Sequence, residues 1–292
     1  MEPLNILVVA GHPADLFDHC GGTLAHHVRR GDHVTCVGLT HGARAHDIVI
    51  TEELRFQKKA PDPERLEQLL QERARVKHAE VVEACAILGI TDVRFLNYDD
   101  NVLLVTHELV QAVARVIGEV KPHIVITHHP LENGGVANHH GTTGKIVLHA
   151  IGCASTVSPG DPSPGYRVAQ VFFMSPVVAT FVGSPLAAQA SVFCDYYVDI
   201  TDVIELKVKA WDRLRSQQYG GNYGRKAAEA WNGKEGLHMR VGYAEGFVRC
   251  HPEIGDYLTV SRELLDRANE PDAVSHARTD VLIAPFVQLP ED

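Results

Sequence analysis

Two rhythms of apolar and polar positions run through this chain. Short stretches that are apolar nearly throughout, at Ile6–Val9, Val34–Leu39, Val93–Leu96 and His123–Thr127, read as strands buried on both faces, since a strand with one wet face would alternate. Between them lie amphipathic segments with helical punctuation. One covers residues 21–30. A second runs from about Pro63 to Leu88, rich in Glu, Arg and Ala and stopped by Gly89. A third spans Glu108–Val120, and a fourth Gly141–Ala150. Strand and helix taking turns predicts right-handed βαβ units, hence an α/β fold with a Rossmann-like, mostly parallel, doubly wound sheet flanked by helices.

The second half is less regular. Gln170–Met174 and Tyr196–Val198 read as further strands. Asp199-Ile200-Thr201-Asp202 predicts a helix start with Thr201 or Asp202 as cap, running to about Gln218. Residues 45–62 read as a loop or short helices, 155–165 as a loop, and 219–240, with its tryptophan and glycine patches, as irregular chain. Tyr243–Phe247 returns to the core. We divide the chain into one domain over residues 1–268 and a C-terminal extension over 269–292, which either packs back or covers a neighbouring subunit in a homo-oligomer.

Composition narrows the function. With 292 residues, 45% of them hydrophobic, one large core is available. A net charge of −10 argues against nucleic acid or an anionic membrane as partner. No apolar run reaches the length of a membrane span, and the opening Met-Glu-Pro-Leu-Asn lacks a basic signal-peptide start, so the expectation is a soluble, cytoplasmic protein acting on a small molecule. The six cysteines are scattered and form no Cys-x-x-Cys pair, which fits reduced core residues.

Candidate chemistry gathers at strand ends, where open α/β sheets bind ligands. Gly11-His12-Pro13-Ala14-Asp15 follows the first strand. An imidazole and a carboxylate three residues apart in a turn can face one metal ion; equally, Asp15 could cap the next helix while His12 packs. His139-His140 opens the helix after the fourth strand, and adjacent histidines point apart, so at most one is a ligand. His12, Asp15 and His140 together offer the two nitrogens and one oxygen of a catalytic zinc site with an open position. His128 and His129, at the strand end itself, are rival ligands or substrate contacts. Asp100, after the third strand, and Arg44, after the second, stand on the same edge and are assigned to substrate.

These motifs resemble the LmbE/PIG-L family. The resemblance rests on His12-Pro13-x-Asp15, on Gly21-Gly22-Thr23 nine residues after the histidine, and on His140 ahead of Thr143-Gly144. Ala86–Gly89, the Asp100 loop, Asp199-Ile200-Thr201 and Tyr243-Ala244-Glu245 extend it over most of the chain. It implies a Rossmann-like fold, zinc-dependent de-N-acetylation of N-acetylglucosamine conjugates, and His12, Asp15 and His140 as ligands of one divalent ion, zinc by first choice. Two departures matter. The family's general-base aspartate is replaced by Ala14, and its proton-donor histidine by Ala137, with His139 where an aspartate stands. Alanine can neither take nor give a proton.

Two enzymatic readings follow. The first is a zinc hydrolase that removes N-acetyl from an amino-sugar-like or other small polar substrate, with Asp18, His19 or His139 replacing the lost acid–base pair. The alternative is a zinc-dependent hydratase adding water to an unsaturated carboxylic acid. The family's 4-oxalomesaconate hydratases share a His-x-Ala-Asp stretch, although Ala43 stands where they carry a glutamate. A metal-binding protein without activity is the non-enzymatic reading.

Overall fold

A computed structural model of the chain describes residues 2–56, 62–132, 138–156, 165–174 and 193–285. Seven strands form one mixed sheet in the order β3-β2-β1-β4-β5-β7-β6. β1 (Asn5–Ala10), β2 (His33–Thr40), β3 (Asp92–Tyr98), β4 (Ile124–Thr127) and β5 (Gln170–Met174) are parallel. β7 (Ala244–Arg249) runs antiparallel to both β5 and β6 (Tyr196–Asp199).

The apolar runs are buried on both faces because helices cover both. Successive side chains of β1 point to opposite sides. Ile6, Val8 and Ala10 enter one core, beside Leu16, Phe17, Leu24, Val81 and Val208. These come from α1 (Asp15–Asp18), α2 (Gly21–Arg30), α4 (Pro63–Ile87) and α7 (Ile204–Trp211). Leu7 and Val9 enter the other, beside Leu109, Val113 and Ile117 of α5 (His107–Val120) and Ile146 and Val147 of α6 (His139–Ala154). A further helix, α3 (Ile48–Phe56), lies in the connection after β2, where the sequence reads as a loop or short helices. Among the described residues, no helix is long and apolar enough to cross a membrane.

β1 is where the sheet turns round. The chain leaves it for β2 on one side, while β4 pairs with its other side. The crevice between the ends of β1 and β4 is therefore the switch point at which doubly wound sheets take their ligands.

Two expectations for the second half are corrected. α7 begins at Ile204, because the Asp199 carboxylate accepts hydrogen bonds from the Thr201 backbone N–H (3.0 Å) and hydroxyl (2.6 Å) and holds 199–201 in a turn. It ends at Trp211, and a single 3₁₀ turn, Arg215–Gln217, follows. Residues 219–240 are largely helical. They form α8 (Asn222–Ala228), a π turn (Glu229–Gly233) and α9 (Lys234–Met239). The glycines there permit close approach and do not break structure: a Cβ on Gly224 would stand 2.6 Å from the Tyr219 carbonyl oxygen. The C-terminal segment, with α10 (Arg262–Ala268) and α11 (Asp272–Thr279), returns to the same side. There the Ile283 N–H donates to the Tyr243 hydroxyl at 2.9 Å.

Candidate metal centre

Past β1 the chain makes a tight turn. The Asp15 carboxylate accepts the His12 backbone N–H at 2.9 Å, through the Oδ2 that also faces the His12 ring. Asp15 is thus engaged inside its own turn and does not cap α2. The N-terminus of α2 is capped from far away: Glu245 of β7 accepts the N–H groups of Gly22 (2.9 Å) and Thr23 (2.7 Å). Glu245 in turn pairs with Lys207 of α7 at 2.7 Å, both side chains fully buried.

Past β4, residues 128–132 carry His128 and Glu132, and Asn138 caps α6 by accepting the Gly141 N–H at 2.6 Å. α6 lies close against this segment. A Cβ on Gly144 would stand 2.4 Å from the His128 carbonyl oxygen, so glycine is required there.

Four side chains meet at one oxygen. Asp15 Oδ2 lies 3.1 Å from His12 Nδ1, 3.3 Å from His140 Nε2 and 3.4 Å from His128 Nε2. The ligand atoms of His12, Asp15 and His140 all lie within 4.8 Å of one another. His128 is 1% exposed, and its Nε2 forms no hydrogen bond although it sits within ion-pair range of Asp15. Two donors that each bind zinc at about 2.0–2.1 Å in a tetrahedral site are themselves about 3.3 Å apart. The spacing around Asp15 Oδ2, the nitrogen and oxygen donors and the orphaned imidazole nitrogen all fit a divalent cation. His128 thus turns its Nε2 toward Asp15, the oxygen that His12 and His140 also face.

Glu132 completes the cluster. Its Oε1 lies 2.8 Å from His140 Nδ1, and its Oε2 lies 3.7 Å from His128 Nδ1. This is the carboxylate–histidine arrangement that orients metal-binding imidazoles. The sequence reading missed Glu132; its one signal was the i,i+4 spacing from His128. A second group with metal-like spacing, His128, Glu132 and His140, shares His140 with the first.

Charge in the cluster is strongly coupled. Burial works to raise the Asp15 pKa, but His140 and then His12 outweigh it and hold the carboxyl well below its usual range. Burial opposes the charged form of His140, yet Asp15 and Glu132 hold its pKa well above normal. Burial likewise acts to raise Glu132, and its hydrogen bonds with His128 and His140 pull it down.

The expected acid–base residues surround this cluster. His139 Nδ1 lies 2.9 Å from His12 Nε2, and burial followed by the His12 charge depresses its pKa. His19 packs near the rings of His128 (6.1 Å) and His140 (6.4 Å) and stacks on Trp231. Burial, reinforced by His128, pushes its pKa down to about 3. Asp18 is buried and accepts the Trp211 indole N–H. Burial, then the Asp15 charge, pushes it up to about 7. It does not cap α2 either; no side chain within the helix's own N-cap does.

Three residues expected at the substrate have partners within the protein. Asp100 is buried, accepts the backbone N–H groups of Arg44 (2.9 Å) and Ala45 (2.8 Å), and lies 3.0 Å from His41 Nδ1. It braces the loop after β2. Its grouping with His41 and Asp99 is that brace. His129 accepts the Leu131 N–H at 3.1 Å and sets its ring edge-on to Phe173. The Arg44 guanidinium grips Asp99 through Nε (2.8 Å) and Nη2 (2.9 Å). Ala14 is buried, and Ala137 lies outside the described residues.

Comparison with known proteins agrees with this geometry. Residues 7–151 match the family model PIG-L, GlcNAc-PI de-N-acetylase. The chain is 30% identical over 180 residues to the 1D-myo-inositol 2-acetamido-2-deoxy-alpha-D-glucopyranoside deacetylase of Thermomonospora curvata, a match covering 55% of each chain. It thus spans little more than half the length of that relative. Among solved structures, a conserved protein of Thermus thermophilus, TT1542, superposes with a TM-score of 0.64 at 25% identity, over 89% of this chain and 99% of that one. The 4-carboxy-2-hydroxymuconate hydratase of Pseudomonas putida KT2440 superposes with a TM-score of 0.65 at 21% identity, over 89% and 100%. The last likeness is one of fold. The His-Pro-x-Asp turn after β1, the histidine opening α6, the reversal of strand order between them and the family match over 7–151 lead to one conclusion: residues 7–151 form a domain of the PIG-L, or LmbE-type, family.

Proposed function

We propose that this protein is a metal-dependent hydrolase that cleaves an amide, removing N-acetyl from an amino-sugar-like or other small polar substrate. The observation that carries the reading is the convergence of His12, His128 and His140 on one Asp15 oxygen at the switch point of the sheet. His12, Asp15 and His140 would hold one divalent ion, with zinc the first choice for this donor set. Such an ion, when bound, polarises a carbonyl oxygen and lowers the pKa of an adjacent water to about 7. Glu132 fixes the His140 ring so that Nε2, and not Nδ1, faces Asp15. The deacetylase named among the relatives supports the reaction class.

The chain's own residues must move the protons. Amide cleavage needs a base for the water and an acid for the leaving amine. With alanine at 14 and 137, we assign those tasks to His139, His19 and Asp18. His139 is the best placed, being half-buried and in hydrogen-bond range of His12. The loop after β2, with Arg44 as its charged group, forms the proposed substrate wall.

The buried Ala14 favours a second reading, addition of water to an unsaturated carboxylic acid, which needs no protonated amine leaving group. One panel separates the two. Zinc-loaded protein is offered N-acetylglucosaminyl conjugates, with acetate measured, and unsaturated di- and tricarboxylates, with ultraviolet absorbance followed. Acetate release supports the hydrolase. Loss of absorbance without any acetate release overturns it in favour of the hydratase.

A further inference from the structure

The loop after β2, residues 41–47, is fastened along most of its length. His41 Nδ1 lies 3.0 Å from Asp100 Oδ1, and Asp100 also accepts the backbone N–H groups of Arg44 and Ala45. The buried Lys77 amine donates to the carbonyls of Gly42 and Ala45, the latter at 2.6 Å. Buried Asp47 accepts the N–H groups of Val49 (3.0 Å) and Ile50 (3.1 Å) at the start of α3 and pairs with Arg73 at 3.1 Å. The Arg44 guanidinium is held by Asp99. That leaves His46 as the loop's uncommitted polar side chain. Among the described residues, its ring has no hydrogen-bond or ion-pair partner.

The backbone of His46 is left-handed, with φ at 58°. A side chain there costs energy that glycine would not. Such outliers persist where the surrounding structure dictates them, and they collect at functional sites. Both flanks are pinned, Ala45 by Asp100 and Lys77, and Asp47 by Arg73. The loop's other left-handed residue is Gly42, where a Cβ would stand 2.5 Å from Pro13 Cδ. Sterics demand glycine at 42, whereas position 46 carries an exposed imidazole despite the strain. That imidazole stands at the crevice, in the field of the charges on His12, Asp15 and His140. It faces the Tyr219 ring, with centroids 6.3 Å apart. Tyr219 feels the charges of Asp18 and Asp15 and stacks on Tyr223 at 5.1 Å. Its turn is fastened too, since Glu80 accepts the Ser216 N–H (3.0 Å) and hydroxyl (2.7 Å).

We propose that His46 is a substrate-contacting residue, its imidazole hydrogen-bonding a hydroxyl of the substrate ring that Tyr219 packs against. This rests on the amino-sugar reading above. A polar ring and a flat apolar ring side by side meet the two surfaces of such a ligand, its hydroxyls and its apolar face. An imidazole can donate or accept, which suits a hydroxyl that does both. The contact belongs to binding and not to proton transfer, which is assigned to His139, His19 and Asp18.

The test compares full-length, zinc-loaded wild type with His46→Gly and His46→Asn. The probe is the methyl glycoside of N-acetylglucosamine; acetate release gives kcat and KM, and a nuclear magnetic resonance titration gives Kd. Glycine relieves the left-handed backbone, so His46→Gly should melt at or above the wild-type Tm, while KM and Kd rise about ten-fold and kcat holds. Asparagine tolerates left-handed backbone and keeps a donor and an acceptor, so His46→Asn should recover part of the affinity. A wild type that cleaves the sugar, with KM and Kd unchanged in His46→Gly, leaves the hydrolase standing and overturns this inference alone. A drop in Tm alongside the lost affinity overturns it in favour of a structural role, and a fall in kcat at constant KM overturns it in favour of proton transfer. If wild type binds the sugar without cleaving it, the hydrolase reading fails and Kd of His46→Gly still decides the contact. A wild type that neither binds nor cleaves overturns both.

Discussion

Glu132 Oε1 lies 2.8 Å from His140 Nδ1, and Nε2 of that same ring lies 3.3 Å from Asp15. One carboxylate thereby sets which nitrogen of the histidine is offered to the crevice. The pairing joins two residues eight positions apart, one before and one at the start of α6.

The first prediction concerns metal retention. His12→Ala and His140→Ala should each lose bound zinc, measured by elemental analysis of dialysed protein. Glu132→Gln should keep both rings in place but weaken metal affinity about 10–100-fold, as loss of an orienting carboxylate does. Full occupancy in both alanine variants would sink the ligand assignment.

The second concerns proton transfer. If His139 serves the reaction, His139→Ala should lower kcat about 10²–10⁴-fold while zinc content stays unchanged. Smaller losses are expected for His19→Ala and Asp18→Ala. Steady-state kinetics on whichever substrate turns over decides it; wild-type kcat in all three variants would refute the substitute acid–base assignment.

The third follows from the pKa of Asp18. Burial and then the Asp15 charge raise it to about 7 in the fold, against 3.8 for the free side chain. The folded state therefore holds this proton more tightly than the unfolded chain. The stability cost of ionisation is absent below about pH 4, grows as pH rises, and is complete above about pH 7. Asp18→Asn removes it, and Asn can still accept the Trp211 N–H. Metal-free Asp18→Asn should thus gain up to about 4 kcal/mol over wild type on going from pH 4 to pH 8 in urea unfolding. A difference that does not change with pH would contradict the assignment.

The fourth concerns the cap on α2. Lys207→Met strands the buried Glu245 carboxylate, which would retain the Gly22 and Thr23 N–H groups but lose its cation. The expected cost is about 3–5 kcal/mol in urea unfolding, and Lys207→Met with Glu245→Gln should recover part of it. A loss under about 1 kcal/mol would show that the backbone donors suffice alone.

How much of this could be read from residues in order is clear at particular positions. Ile6–Val9 and His123–Thr127 announced buried parallel strands, because apolar runs without alternation are required where helices cover both faces. His12, Asp15 and His140 were legible as a group because strand ends in an α/β fold converge on one edge. Residues 219–240 were misread, since glycine normally breaks helices and only the packed neighbours reveal that Gly224 and Gly236 admit close backbone contact.

What the chain determines by itself is therefore local: the period of its apolar residues, and with it the fold class, and the turn that brings Asp15 back to His12. The tertiary structure alone decided the rest. It turned His128 inward to Asp15, supplied Glu132 to His140, and bound Arg44 to Asp99 and Asp100. It also buried Asp18 against Trp211 and brought Glu245 across 223 positions to the start of α2. The physical reason is that hydrogen bonds and ion pairs act over about 3 Å in space. Spacing along the sequence reports such distances only within a turn or a single helix.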